Sequence, residues 1–231
     1  MTDGLLPFTL PVADPEGLAA QEAAYAVLAD SVRRLVALTV QTRIAPAEAV
    51  DIAGRLDELA DDLAVDLEPG PLGLRLGSDG RLRDHANPAA GIRNPIAPPL
   101  RVARHDDGSA SCEVTLGPHH EGPPGHVHGG IIALVLDQVL GTVPAIAGLP
   151  GMTAYLNLTY RRPTPLGPVR ARARIADRGE WKVLVTGELT DTQDEVLVEA
   201  EGLFVVPRAA RDRLAVPMSD AGDFPFPGSR A

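Results

Sequence analysis

From Gly129 to Leu149 the chain reads GGIIALVLDQVLGTVPAIAGL, and only Asp137, Gln138 and Thr142 carry side chains that are not apolar. A segment so apolar has to be covered, and its length suits one helix. Length alone would let it cross a bilayer. The Asp137 carboxylate and Pro144 inside it, and the lack of interfacial anchors beside it, make it a buried core helix, with no membrane span expected. A carboxylate in such a helix is costly to bury unless it is satisfied or used. His128-Gly129-Gly130 stands at the helix start, where backbone N–H groups are open and the helix dipole is positive. A helix tip that stabilises an anion and one acid within the helix are parts that acyl-transfer or hydrolytic chemistry uses.

Two helical patterns come first in the chain. Leu18, Ala23, Ala26, Val32, Leu35 and Val36 recur near helical spacing between Pro15 and Arg43. After Pro46 the series Val50, Ile52, Leu56, Leu59 and Leu63 predicts a second helix of roughly 20 residues, ended by Pro69-Gly70. Residues 1–68 are therefore expected to form an αα-hairpin with an acidic outer face, behind an extended lead over 1–16. Residues 69–98 are Pro/Gly-rich and read as a linker or wrapping loop, with room for short strands but no long element. Strands are expected at Leu100–His105 and Ser109–Leu116, hinged at Asp106-Asp107-Gly108. Four more are expected after the apolar helix, at Met152–Tyr160, Val169–Ala176, Lys182–Thr190 and Glu195–Val206. In the second of these Arg170, Arg172 and Arg174 alternate with Val169, Ala171, Ala173 and Ile175, one set per face. The order predicts an α+β domain over 99–207, an antiparallel sheet wrapped around one central helix, and a frayed tail over 208–231.

Charge and cysteine usage narrow the function classes. The net charge is −10, and residues 1–70 hold 13 acids against 4 arginines. An acidic chain with few aromatic residues does not suit a nucleic-acid partner. Cys112 is the only cysteine, so no intrachain disulfide forms, and a reducing, cytoplasmic setting is expected. The first residues lack a basic segment and an apolar run of the kind that makes a secretory leader. His119, His120, His126 and His128 with Glu121 cluster in sequence, but Gly122-Pro123-Pro124-Gly125 interrupts them and no metal-ligand signature is present. No metal and no cofactor are expected. There is no G-x-S-x-G elbow and no phosphate-binding glycine loop. The arginine strand could bind phosphates or could be a solvated face.

Asp137 is the leading candidate for chemistry, expected to be desolvated, as a base with a raised pKa or as a nucleophile. The Gly129 and Gly130 amides are the candidate carbonyl-polarising group. Gly129 and Asp137 are eight residues apart, which puts them about 12 Å apart along one helix axis. One reacting group cannot touch both. If both act, two subunits must lay antiparallel helices side by side, so a symmetric dimer follows from the chemistry.

The segments GPPGHVHGGIIALVLDQVLG and MTAYLNLTYRRPTPLG resemble the hotdog-fold acyl-CoA thioesterases, over about residues 93–206 and most closely the phenylacetate-pathway and THEM-type branch. The resemblance implies a curved antiparallel sheet around a central helix, dimerised into one continuous sheet. It implies hydrolysis of a fatty or aryl acyl-CoA thioester by a homodimer or a dimer of dimers. By the same resemblance Asp137 looks like the general base or nucleophile and the Gly129 amide like the carbonyl-polarising donor. His128 looks like the support for that donor, and Thr153 like the hydroxyl that positions water. Gly130, Asn157, Tyr160, Arg161, Arg162 and Pro163 are expected to border the bound acyl-CoA. Two other readings remain open: a non-catalytic hotdog protein that binds acyl-CoA as a sensor or platform, and a hotdog hydratase. His128 and Asp137 are nine residues apart, against about five in the hydratase pattern, which disfavours the last.

Overall fold

The computed structural model describes residues 8–9, 15–69, 72–73, 75–76, 82–208 and 211. Most of the expected lead, part of the 69–98 segment and nearly all of the 208–231 tail lie outside the described residues. In chain order the elements are β1 (Phe8–Thr9), α1 (Pro15–Gln41), α2 (Pro46–Ala64), β2 (Arg75–Leu76), β3 (Leu82–Arg83), β4 (Ala103–Arg104) and β5 (Ala110–Leu116). A 3-10 turn (Pro118–His120), α3 (Gly129–Ile146), β6 (Met152–Tyr160), β7 (Gly167–Arg178), β8 (Lys182–Thr190) and β9 (Val196–Val205) follow. Strands β4 to β9 form one antiparallel sheet in the order β4-β5-β7-β8-β9-β6, so β6 is an edge although it lies mid-sequence.

α3 lies across this sheet and makes the core. Ile132, Val135, Leu136, Val139, Leu140, Val143 and Pro144 are buried at the three- and four-residue spacing of one helix face. Beneath them are Val169, Ala171 and Ala173 of β7, Val183, Val185 and Leu189 of β8, and Val198, Ala200 and Phe204 of β9. Each large side chain so covered contributes roughly 1.5–3 kcal/mol before entropy is counted. The helix is drawn in close because β8 has no side chain where it crosses. A Cβ on Gly187 would fall 2.6 Å from Leu140 Cδ1 and 2.6 Å from the Arg172 carbonyl oxygen. The opposite face of β7 carries Arg170, Arg172 and Arg174, as the alternation predicts. Arg170 pairs with Glu113 and Asp194, and Arg172 approaches Asp194 at 3.6 Å. These arginines line a groove on the face of the sheet turned away from α3.

Three features differ from the sequence reading. β4 is two residues long where six were expected, because only Ala103 and Arg104 find partners, on Ser111 and Ala110. A small second sheet joins β1, β2 and β3: the 69–98 stretch had room for short strands, but their pairing with sequence-distant β1 is not revealed by periodicity. The two N-terminal helices are present, but they do not pack along one another, so the expected hairpin is an opened pair. α1 is fastened to the body instead. Its Glu22 pairs with Arg83 and His85, Tyr25 stacks under the Arg93 guanidinium, and Arg33 donates to the carbonyls of Ala97 and Asn94. These contacts clamp α1 onto residues 84–100. That stretch, expected as a linker or a wrapping loop, is a folded strap with Ala89, Ala97 and Leu100 buried.

The strap's hub is Asn87, whose Oδ1 accepts from the Ala89 and Ala90 amides while its Nδ2 donates to Gln138 of α3. α1 also packs on the 3-10 turn. In that turn His120 is buried, its Nδ1 accepts from the Gly117 amide, and its carbonyl accepts from the His128 amide just before α3. Burial, with the neighbouring His119 ring, pushes the His120 imidazole down from 6.5 to about 4.

Two outcomes follow. Gly187→Val should lower stability by about 1–3 kcal/mol through overpacking under Leu140, read as a lowered midpoint in urea denaturation. The unfolded chain binds a proton at His120 near pH 6.5 that the folded chain refuses until about 4. This share of stability is therefore complete above pH 6.5 and lost as pH falls toward about 4. Urea titrations between pH 7 and 4 should show a shallower acid loss for His120→Asn, whose Oδ1 can still accept from Gly117.

Candidate functional site

The start of α3 is built by its own N-cap. His128 is extended, at φ −62° and ψ 133°, and its Nδ1 accepts from the Gly130 amide at 3.0 Å. Its carbonyl accepts from the amides of Ile131 and Ile132. Three of the first four N–H groups of α3 are thus engaged. The fourth, on Gly129, meets no acceptor among the described residues. It stands at the positive end of an 18-residue helix, where a carbonyl oxygen or an oxyanion would be stabilised. The loop before it closes tightly on itself: a Cβ on Gly122 would lie 2.8 Å from the His128 Cα. Tyr160, the last residue of β6, donates its hydroxyl to the Gly129 carbonyl at 2.9 Å.

Two turns further along α3, Asp137 Oδ1 accepts from the Thr153 hydroxyl at 2.9 Å. Asp137 is half-buried in the protomer, not fully buried as its apolar surroundings predicted. The reason is positional. The helix buries its opposite flank on β7–β9, while the Asp137 flank faces edge strand β6, whose residues are largely exposed. Thr153 reaches Asp137 because of a β-bulge. Leu156 and Leu158 pack on the core and Tyr160 meets Gly129, so even-numbered residues of β6 face α3. Strict alternation would turn Thr153 away. The register against β9 skips one residue between Thr153 and Tyr155, and Thr153 then sits opposite buried Phe204 on the α3 side.

The structure brings Gly129, Tyr160, Arg161, Arg162 and Pro163 together around a cleft of about 440 Å³ at the tip of α3. The two arginines are already paired there, Arg161 with Glu199 at 2.7 Å and Arg162 with Glu195 at 2.6 Å. Gly130 spends its amide on His128. Asp137 and Thr153 lie outside this cleft, at the other end of β6. Asn157 is not brought to either place. It faces away from α3 with Tyr155, which donates to Glu201 on the outer side.

Sequence reasoning missed Thr164, which is 2 % exposed, lines the same cleft and has a hydroxyl without a partner in the described residues. It also missed the Asn87–Gln138 contact beside Asp137. Neither leaves a sequence signal, since both depend on loops that fold back. Among the described residues no three His, Cys, Asp or Glu side chains converge as a metal site. Cys112 is buried, and burial pushes its thiol up to about 11.

The family model described as the thioesterase superfamily matches residues 124–198, from the loop before α3 to the start of β9. Acyl-coenzyme A thioesterase THEM4 of Mus musculus is 36% identical over 91 residues, 38% of this chain and 39% of that protein. The Xenopus laevis protein of the same name is 35% identical over 96 residues, 41% of this chain and 43% of that one. The chain thus spans about two-fifths of the length of the curated relatives it matches. A crystal structure of a thioesterase superfamily protein is similar at far greater extent, with 32% identity and a TM-score of 0.72 over 87% of this chain and 98% of that one. With likeness across nearly the whole of a solved relative, and one helix wrapped by a curved antiparallel sheet, this chain belongs to the thioesterase superfamily and has the hotdog fold.

Proposed function

We propose that the chain hydrolyses acyl-CoA thioesters to the free acid and CoA. The observation that carries the reading is the unbonded Gly129 N–H at the positive tip of α3, on the same helix as the Thr153-held carboxylate of Asp137. The curated relatives that match across this stretch are named acyl-coenzyme A thioesterases, which supports it.

In the proposed reaction the thioester carbonyl oxygen takes the Gly129 N–H as its hydrogen-bond donor. Asp137 removes a proton from water, whose oxygen bonds to the carbonyl carbon. The tetrahedral oxyanion collapses, the carbon–sulfur bond breaks, and CoA leaves as the thiolate. The alternative course has Asp137 bond to the carbonyl carbon itself and release CoA, with water then cleaving the acyl–Asp137 anhydride. In both, Thr153 fixes the carboxylate and His128 keeps the first turn of α3 shaped so that Gly129 alone is free.

The 12 Å rise between Gly129 and Asp137 prevents one substrate carbonyl from using both groups of one protomer. The free edge of β6 supplies the remedy. Pairing β6 with β6 of a second copy continues the sheet, lays the two α3 helices antiparallel, and brings Gly129 of one copy toward Asp137 of the other. Each dimer then has two sites, and the flank of Asp137 that is open in the protomer becomes covered.

A free-thiol assay over short, long and aryl acyl-CoAs tests the reaction. Wild type should release CoA from at least one member of the panel. Asp137→Asn should keep its circular dichroism and lose turnover by about 10² or more. Thr153→Ala should lose less, about tenfold, because it loses one hydrogen bond to the carboxylate. Tight acyl-CoA binding without any turnover would contradict hydrolysis and leave a sensor.

A further inference from the structure

The cleft at the tip of α3 holds two polar atoms that the proposed reaction leaves unused. Thr164 is 2 % exposed, and its hydroxyl has no partner among the described residues. A buried hydroxyl without a hydrogen bond costs stability that a valine of the same shape would not cost. The second atom is Nε2 of His126. Nδ1 of that ring lies 2.9 Å from the Pro124 carbonyl oxygen, which can only accept, so Nδ1 carries the proton. In the neutral ring Nε2 then presents a lone pair, and no described group donates to it.

Backbone bonds fix both residues in place. The His126 amide donates to the Pro123 carbonyl, and the His126 carbonyl accepts from the Gly122 amide. The Val127 amide donates to the Thr164 carbonyl, the Leu166 amide to the Gly125 carbonyl, and His126 pairs with Pro165 as an isolated bridge. The loop before α3 and residues 164–166 thus form one wall of the cleft. The other polar side chains of the lining are engaged, Arg161 with Glu199, Arg162 with Glu195 and Tyr160 with the Gly129 carbonyl. Pro123, Val127, Ile132 and Pro163 make the rest apolar.

Chemistry decides which end of an acyl-CoA suits this wall. A plain fatty or aryl acyl group has no atom that answers a free acceptor or a buried hydroxyl. The CoA arm carries an amide two methylene groups from the sulfur, with one donor and one acceptor. We propose that His126 and Thr164 recognise that amide. With the thioester carbonyl on the Gly129 N–H, three residues along the chain from His126, His126 Nε2 accepts from the amide N–H. The Thr164 hydroxyl, turned to another staggered position about its Cα–Cβ bond, donates to the amide oxygen. The CoA arm lies in the cleft and the acyl group points out of it. The Thr164 hydroxyl is kept for a bond that the substrate completes, at a cost to stability. The assignment rests on the acyl-CoA reading of the site.

Calorimetric titration of the full chain with S-hexyl-CoA tests it. This thioether has no thioester to cleave, so binding is read apart from turnover. A second ligand carries an ester oxygen in place of the amide N–H nearest the sulfur. Wild type should bind the first about tenfold more tightly than the second. His126→Phe should bind the two within about twofold of each other, and His126→Gln, whose Oε1 can accept, should restore most of the preference. Thr164→Val should bind S-hexyl-CoA about fivefold more weakly and yet raise the urea midpoint, because it removes an unmade buried bond. In the free-thiol assay His126→Phe and Thr164→Val should raise KM and keep kcat within about twofold. A merely structural His126 would weaken both ligands alike and leave their ratio, which overturns the proposal. So does a wild type without preference, or a Thr164→Val chain that binds as tightly as wild type. The amide preference in a wild type that turns over no acyl-CoA would contradict hydrolysis and uphold the recognition.

Discussion

Every group at the site takes its position from the seat of α3 on the sheet. The helix lies close because Gly187 leaves room for Leu140, and it buries one flank from Ile132 to Pro144. That seat turns the Asp137 flank toward β6 and points the first turn at the loop that ends in His128. The His120 carbonyl then holds the His128 amide, His128 takes the Gly130 amide, and Tyr160 takes the Gly129 carbonyl. In the first turn of α3 the N–H left without an acceptor among the described residues is that of Gly129. The proposed functional group is what the packing leaves over, and the hydrogen bonds around it decide which amide that is.

The apolar helix, its tip and the alternating strands were legible in the sequence because each follows a local period. Three-residue spacing set the buried face of α3, and two-residue spacing separated Arg170, Arg172 and Arg174 from the core. What was not legible depends on contacts between distant residues. The bulge beside Thr153 exists only against β9, and it reverses the face that alternation assigns. Which face of β6 Asn157 takes was likewise not legible, since a motif gives a position in the chain and the pleat decides the face. Asp137 looked fully buried because sequence hydropathy cannot tell a core flank from a flank facing an edge strand.

The strap over 84–100 and the N-terminal helices show how composition misleads in opposite directions. Glycine and proline made the strap look irregular, yet Asn87 and the carbonyls held by Arg33 give it a fixed shape against α3. Strong periodicity made α1 and α2 look like a closed hairpin, yet among the described residues the two do not pack along one another and α2 has no buried residue. β6 is left as an edge strand of the sheet, and the proposed chemistry requires a further copy there.

Whether one site draws on two protomers is the central claim, and subunit mixing tests it most directly. Gly129→Pro removes the N–H at a helix position where proline is tolerated, and the extended His128 backbone already suits a following proline. Dimers of Gly129→Pro alone and of Asp137→Asn alone should be inactive. Reassorted in equal amounts, they should recover about a quarter of wild-type turnover, because half the dimers then hold one intact site of two. No recovery in a mixture shown to contain heterodimers would contradict the account, and would place Gly129 and Asp137 in separate roles within one chain.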